Sequence, residues 1–167
     1  MVTKHRDTKT RDVETVERFI AAPPAAIFAL LADPRRHRDI DGSGSVIEST
    51  KDIGELQGEN PERLTLGARF GMSMKKGFAY SMVNEVVEFE ENRRIAWQTR
   101  PPSALIGRFI GGRIWRYELE PVDGGTRVRE SWDITHEQVK AAVRVLRNGT
   151  VASMERTLAR IEELVTT

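Results

Sequence analysis

Residues 114–135 read Ile-Trp-Arg-Tyr-Glu-Leu-Glu-Pro-Val-Asp-Gly-Gly-Thr-Arg-Val-Arg-Glu-Ser-Trp-Asp-Ile-Thr. Two alternating runs, Ile114–Glu120 and Thr126–Thr135, flank Val122-Asp123-Gly124-Gly125. In a strand, alternate side chains share a face. Trp115, Tyr117 and Leu119 therefore oppose Arg116, Glu118 and Glu120, and Val128, Trp132 and Ile134 oppose Arg127, Arg129 and Asp133. The separator has turn chemistry, so the pair predicts an antiparallel hairpin. Its inner face is aromatic and its outer face alternates Arg with Glu, as expected for a sheet buried on one side. Glu130 breaks the pattern, because parity places its carboxylate inside.

The same period of two runs upstream. Ser45–Lys51, Leu64–Lys75, Ala79–Glu90 and Arg94–Thr99 read as strands. Lys75-Lys76-Gly77 and Glu91-Asn92-Arg93 are short separators that predict hairpins. Parity turns Leu66, Ala68, Phe70, Met72 and Met74 inward, with Ile95 and Trp97. In Ala79–Glu90, Tyr80, Met82 and Asn84 have one parity and Val83, Val87 and Phe89 the other. A bulge near Glu85–Val86 would bring both sets inward. Val13–Ile20 also alternates. Ala22-Pro23-Pro24 ends it, and Ala25–Ala32 carries Ile27, Leu30 and Leu31 at helical spacing. Asp33-Pro34 closes that helix, and Arg35–Ile40 suggests a second short one. Pro101–Arg113 is a looser, glycine-bearing connection.

After Ile134 the period returns to 3.6. Val139, Val143, Leu146, Met154, Leu158, Ile161 and Val165 form an apolar stripe, while Glu137, Lys140, Arg144, Arg156, Arg160 and Glu163 lie off it. Asn148-Gly149 interrupts the pattern and suggests a short helix before a long one. The order is strand, two short helices, six strands and a long C-terminal helix. This predicts an α+β fold in which one antiparallel sheet of about seven strands curls around the helix. Strands that outnumber what one helix can cover leave an apolar space.

Composition narrows the chemistry. The chain has 167 residues, 26 Lys and Arg, 25 Asp and Glu, and no cysteine. Thiol catalysis, disulfides, thiolate metal sites and iron–sulfur clusters are excluded. The length suits one domain over 13–167, and the near-neutral balance argues against nucleic-acid binding. Residues 1–12 are polar and read as a disordered tail, the alternative being a basic arm for anionic lipid or nucleic acid. With no apolar run of 18 residues and no leader-like start, the expectation is a cytoplasmic protein without integral membrane association.

Several motifs fail on context. Asp39–Val46 has the oxygen ligands and glycine of a calcium loop, but Thr50 stands where a bidentate Glu is needed. A glycine-rich helix-to-strand turn is the better reading. Ser73-Met74-Lys75-Lys76 matches Ser-x-x-Lys, but a strand points the pair to opposite faces. His5, His37 and His136 are too scattered for a metal site. His37, set among Arg35, Arg36, Arg38 and Asp39, reads as a solvated residue, or as one bordering the entrance if the short helices form a lid. No metal or cofactor is expected.

The candidate cavity lining is Phe70, Met72, Met74, Tyr80, Met82, Asn84, Trp97, Trp115, Tyr117, Glu130, Trp132, Met154 and Leu158. These residues equally suit an ordinary core, and the polar Tyr80, Asn84, Tyr117 and Glu130 tip the reading toward a pocket. In a filled core Glu130 would need a partner such as Arg108 or Arg113. In a wet cavity it would anchor a ligand or act as an acid/base group, the one weak catalytic candidate. Leu105, Ile106, Phe109 and Ile110 are unusual for a loop and suggest an interaction surface or a flap over the mouth.

Three stretches carry a family resemblance. Val16-Glu17-Arg18-Phe19-Ile20-Ala21-Ala22-Pro23-Pro24-Ala25-Ala26-Ile27-Phe28, followed by Leu31-Ala32-Asp33-Pro34, resembles the opening of the START-like (SRPBCC) superfamily. Asn84–Glu90 with Arg93–Trp97 is similar too, as is Tyr117–Pro121 running through Gly124–Val128 to Trp132. The likeness spans about residues 13–165 and is greatest to the polyketide cyclase/dehydrase-like branch. It implies a helix-grip fold and a small hydrophobic ligand, lipid-like or polyketide-like, held by a carrier or sensor. The alternative is a cyclase or dehydratase using a cavity acid/base residue. It carries over no catalytic residue, and the protein could be a monomer or a homodimer.

Overall fold

The computed structural model describes residues 12–50, 61–107 and 111–167. Residues 1–11 of the expected tail, Arg108, Phe109 and Ile110 lie outside them, while Asp12 is described. Seven strands form one antiparallel sheet: β1 (Val13–Ile20), β2 (Val46–Thr50), β3 (Arg69–Lys76), β4 (Phe78–Glu90), β5 (Arg94–Arg100), β6 (Arg113–Val122) and β7 (Gly125–Asp133). Their spatial order is β1-β7-β6-β5-β4-β3-β2, so β1 and β2 are the edges. The helices are α1 (Pro24–Leu31), α2 (His37–Ile40), α3 (Ala104–Gly107), α4 (Lys140–Arg144) and α5 (Arg147–Thr166). Sequential hairpins build the sheet from β2 through β7. β1 pairs with β7 along its whole length, from Val13 opposite Asp133 to Ile20 opposite Thr126.

The faces follow parity. Directly opposed residues share a face, so Val16, Glu130, Tyr117 and Ile95 form one inner row, and Trp132, Trp115 and Trp97 the next. On the outer face Glu17, Arg129, Glu118 and Arg94 lie in line. There Arg129 donates to Glu17 at 3.0 Å, and Arg116 reaches both oxygens of Glu88 at 2.6–3.0 Å. This lattice of paired charges accounts for the near-zero net charge.

α5 packs across the inner face with Val151, Met154, Leu158 and Ile161 buried. Arg18 on β1 donates to Glu162 at 2.7 Å and fixes one end of that contact. α1 starts on Pro24, where a missing N–H costs nothing, and buries Ile27, Phe28, Leu30 and Leu31. Phe28 meets Phe89 edge-on at 5.4 Å, so α1 closes that end of the sheet.

Five local expectations change. The strand expected from Leu64 begins only at Arg69. Gly67 takes φ +78° and Ala68 N–H closes a turn onto Thr65, so Leu66 is exposed rather than inward. The bulge falls at Val87, between Val86 and Glu88, one residue past the expected place. Val86 and Phe89 thereby turn inward and Val87 outward. Asn148-Gly149 lies inside the first turn of α5, and the break between α4 and α5 is at Val145-Leu146. Val139 and Leu146, expected on the buried stripe, are exposed. Glu137, expected outside the stripe, is buried. It accepts from the Gly111 N–H and from Arg113 Nε at 3.2 Å, tying the β5–β6 connection to the approach to α4.

Candidate functional site

The inner face does not fill evenly. Phe70, Asn84, Tyr117, Glu130 and Trp132 are buried, whereas Met74, Tyr80, Met82 and Trp115 are only partly so. Trp115 stands between Trp97 and Trp132 in one cross-strand row, and both of those are buried. Exposure rises along β3 and β4 toward their shared hairpin, from Phe70 through Met72 and Met74 to Lys76. Burial of the inner face is therefore complete near α1 and falls toward the β3–β4 hairpin end. Met154 and Leu158 sit fully buried on α5 at the closed core.

At the centre is Glu130. Its cross-strand partner Tyr117 donates a hydrogen bond to Oε1 at 2.8 Å, while Oε2 is buried without a partner among the described residues. Of the two cations that a filled core would draw on, Arg113 is engaged by Glu137, and Arg108 lies outside the described residues. Burial pushes the Glu130 carboxyl up to about 8, against the opposing pull of the Tyr117 hydrogen bond. The acid is therefore neutral at pH 7. With Oε1 accepting, its proton belongs on Oε2, which makes an unpartnered donor.

An aromatic path leads away from this pair. Tyr117 lies 5.5 Å from Trp97, ring centre to ring centre, Trp97 stacks on His37 at 4.9 Å, and His37 meets Phe70 edge-on at 5.3 Å. The sequence suggested a solvated His37, or one at an entrance. Instead the ring is buried among those aromatics, only 4% exposed. The four-residue α2 turns His37 and Ile40 inward and Arg38 and Asp39 outward. Their i, i+3 spacing was the available signal. His37 Nε2 is 2.8 Å from the Leu31 carbonyl, which can only accept. Nε2 thus carries the hydrogen, and Nδ1 is a bare acceptor without a partner among the described residues. Burial lowers the ring's pKa to about 4, so it is neutral as well.

Asn84 completes the set. It lies opposite Phe70 on β3 and Thr99 on β5, and its Oδ1 accepts from the Thr99 hydroxyl at 2.6 Å. Its Nδ2 has no partner among the described residues. Parity named Asn84 but passed over Thr99. A buried polar atom without a partner costs about 1–3 kcal/mol. Here two donors and one acceptor are left so on a single aromatic band. Asn84 and Glu130 are three strands apart, about 14 Å along the sheet. Arg18, Arg113 and Arg147 are bound to Glu162, Glu137 and Glu14. Among the described residues, the unpartnered polar atoms of this band thus belong to neutral groups.

The glycine-rich turn of the rejected calcium motif has a structural task. Asp41 accepts from the backbone N–H groups of Ser43 and Val46 and from the Ser43 hydroxyl, at 2.8–2.9 Å. Gly42 N–H donates to Thr157 Oγ1 at 3.0 Å, and Arg156 returns a bond to the Gly42 carbonyl at 2.7 Å. These contacts dock α2 and its histidine onto α5.

Residues 13–166 match the family model described as "Polyketide cyclase / dehydrase and lipid transport". The chain is 36% identical over 116 residues to "Uncharacterized protein Rv0088" of Mycobacterium tuberculosis, a match covering 68% of this chain and 44% of that one. It therefore spans less than half the length of that relative. Among solved structures, protein Ms6760 from Mycobacterium smegmatis superposes with a TM-score of 0.65 at 21% identity, over 99% of this chain and 96% of that one. Protein NE0264 from Nitrosomonas europaea does so with a TM-score of 0.68 at 17% identity, over 93% and 94%. Both share the fold.

Proposed function

This chain belongs to the polyketide cyclase/dehydrase and lipid transport family, and from that premise we propose that it binds a small, uncharged, largely apolar molecule bearing carbonyl and hydroxyl oxygens. The observation that carries this is the set of three unpartnered polar atoms on one aromatic band: Glu130 Oε2, Asn84 Nδ2 and His37 Nδ1. The two donors suit carbonyl oxygens and the histidine nitrogen suits a hydroxyl. Trp97, Phe70, Met72 and Met82 supply the apolar contact, with methionine adapting to shape. An anionic ligand is disfavoured, because its charge would meet a neutral acid and, among the described residues, no free cation on that band. The test compares a hydroxyanthraquinone with an anthraquinone carboxylate, each titrated by tryptophan quenching. The neutral compound should bind at least about tenfold more tightly, one such factor being about 1.4 kcal/mol. Equal affinity, or no binding of either, overturns the reading.

A second reading rests on the protonated state of Glu130 at neutral pH. Such an acid could donate its Oε2 proton to a ligand hydroxyl as the C–O bond breaks and water leaves. The resulting carboxylate would then take a proton from the adjacent carbon, completing a dehydration and restoring the acid. Glu130→Gln separates the two readings. Turnover of a β-hydroxyketone would vanish with binding kept if the acid works, and would persist unchanged if it does not.

A further inference from the structure

The β3–β4 hairpin end of the sheet presents a rim of exposed apolar side chains from three separate segments. The first is the β3–β4 hairpin. β4 parts from β5 at Val83 opposite Arg100, so Phe78–Met82 runs about 16 Å beyond β5. Phe78 at its tip is 71% exposed, beside Lys75, Lys76 and Tyr80. The second is α3, on the connection that leaves β5 at Arg100 and returns where Gly112 N–H donates to Thr99, with Leu105 69% exposed. The third is the α4–α5 junction, where Val145 is 81% exposed. Arg144 and Lys140 bind Asp12 there, next to the start of β1 at the same end.

Cations stand beside these tips: Lys75 and Lys76 in the hairpin, Arg100 at the end of β5, and Lys140 and Arg144 before the α4–α5 junction. Lys140 and Arg144 are paired with Asp12, whereas Lys75, Lys76 and Arg100 make no ion pair among the described residues. No helix among the described residues is long and apolar enough to cross a membrane. Apolar tips inside a basic collar suit a surface of anionic headgroups over hydrocarbon.

We propose that this rim docks reversibly on an anionic lipid bilayer, with Phe78 entering the headgroup layer and Lys75, Lys76 and Arg100 facing the lipid phosphates. The docked end is the one toward which inner-face burial falls. The inference goes beyond the ligand reading and does not depend on it, since lipid contact uses none of Glu130, Asn84 or His37.

Flotation with phosphatidylcholine vesicles, with and without phosphatidylglycerol, tests it on the full chain. The protein should float with the anionic vesicles, remain behind with the neutral ones, and lose binding as salt rises. Lys75→Gln with Lys76→Gln should weaken binding about 30-fold, each basic side chain near such a surface contributing about fivefold. Phe78→Asp should abolish flotation while leaving the thermal midpoint and hydroxyanthraquinone binding unchanged. Arg94→Gln with Arg129→Gln, on the outer sheet face, should change nothing. Failure to float, equal floating with neutral vesicles, or wild-type floating of Phe78→Asp overturns the proposal. So does light scattering that shows a dimer broken by Phe78→Asp without vesicle binding, since the rim would then belong to a second copy. Loss of hydroxyanthraquinone binding in Asn84→Leu with flotation intact would show the two sites to be separate.

Discussion

Tyr117 and Glu130 face each other as direct partners across β6 and β7, and the tyrosine hydroxyl donates to Glu130 Oε1 at 2.8 Å. Two opposed effects meet in that contact. The hydrogen bond favours the carboxylate, while burial favours the neutral acid, and burial is the larger. The phenol is itself pushed well above its ordinary value, by burial first and then by the neighbouring carboxyl. Both groups therefore keep their protons near neutrality, with one acid oxygen committed to Tyr117 and the other without a partner among the described residues.

This has a measurable cost in stability. An unfolded glutamate loses its proton above about 4.5, whereas folded Glu130 keeps it up to about 8. Between those values the folded state binds the extra proton, so stability falls as pH rises, and the fall ends once folded Glu130 ionises. Glu130→Gln removes the dependence. The stability of the variant minus that of wild type should climb by several kcal/mol from about pH 5 to about pH 8 and then level off, at about 1.4 kcal/mol per pKa unit. Denaturant titrations across that range measure it. A flat difference would mean that Glu130 is ionised throughout.

Tyr117→Phe isolates the hydrogen bond. Without the hydroxyl both Glu130 oxygens lack a protein partner, and the group that favoured ionisation is gone. The acid should titrate above its wild-type position in carboxyl carbon NMR, and the protein should lose about 1–3 kcal/mol. A Glu130 titration that moves downward instead would show that water replaces the phenol with better solvation.

Much of this was legible in alternation alone. The period of two assigns Tyr117, Glu130 and the three tryptophans to one face, because a sheet fixes parity over long runs. It fails where a single glycine or bulge resets the count. Gly67 turns Leu66 outward, and the bulge at Val87 redirects Phe89. His37 escaped because its neighbours in sequence are charged. A four-residue helix leaves too little periodicity to show that only His37 and Ile40 face inward. The rim escaped as well, since Phe78, Leu105 and Val145 lie far apart in the sequence and come to one end only in the fold.

His37 gives the complementary acid-side effect. Its ring titrates near 4 in the fold, against an ordinary value of 6.5. Above 6.5 both states are neutral. As pH falls through that value the unfolded chain takes up a proton that the folded chain refuses, so stability drops until about pH 4. His37→Phe keeps a ring between Phe70 and Trp97 but loses the bond to the Leu31 carbonyl. The variant should be about 1 kcal/mol less stable at pH 8, and the gap should close or reverse by about pH 4. Melts across this range check it, and a gap that widens toward acid would place a charged His37 in the fold.

Gly42 and Gly44, two residues apart in one turn, should respond to alanine for different reasons. A Cβ on Gly42 would stand 2.0 Å from the Ser153 carbonyl oxygen and 2.5 Å from the Thr157 nitrogen, both in the backbone of α5. Neither can rotate away, so the turn and the helix must separate. That separation breaks the bonds from Gly42 N–H to Thr157 and from Arg156 to the Gly42 carbonyl. Gly44 has open space around its Cβ position but adopts φ +67°, so alanine there meets only the left-handed backbone penalty of about 1–2 kcal/mol. Gly42→Ala should therefore cost more than Gly44→Ala, by at least about 1–3 kcal/mol on the scale of overpacking a fixed contact. Because the same turn holds α2 against α5, it should also loosen hydroxyanthraquinone binding through His37, which Gly44→Ala should leave intact. Equal losses from the two substitutions would show that α2 is not held in place by its contact with α5.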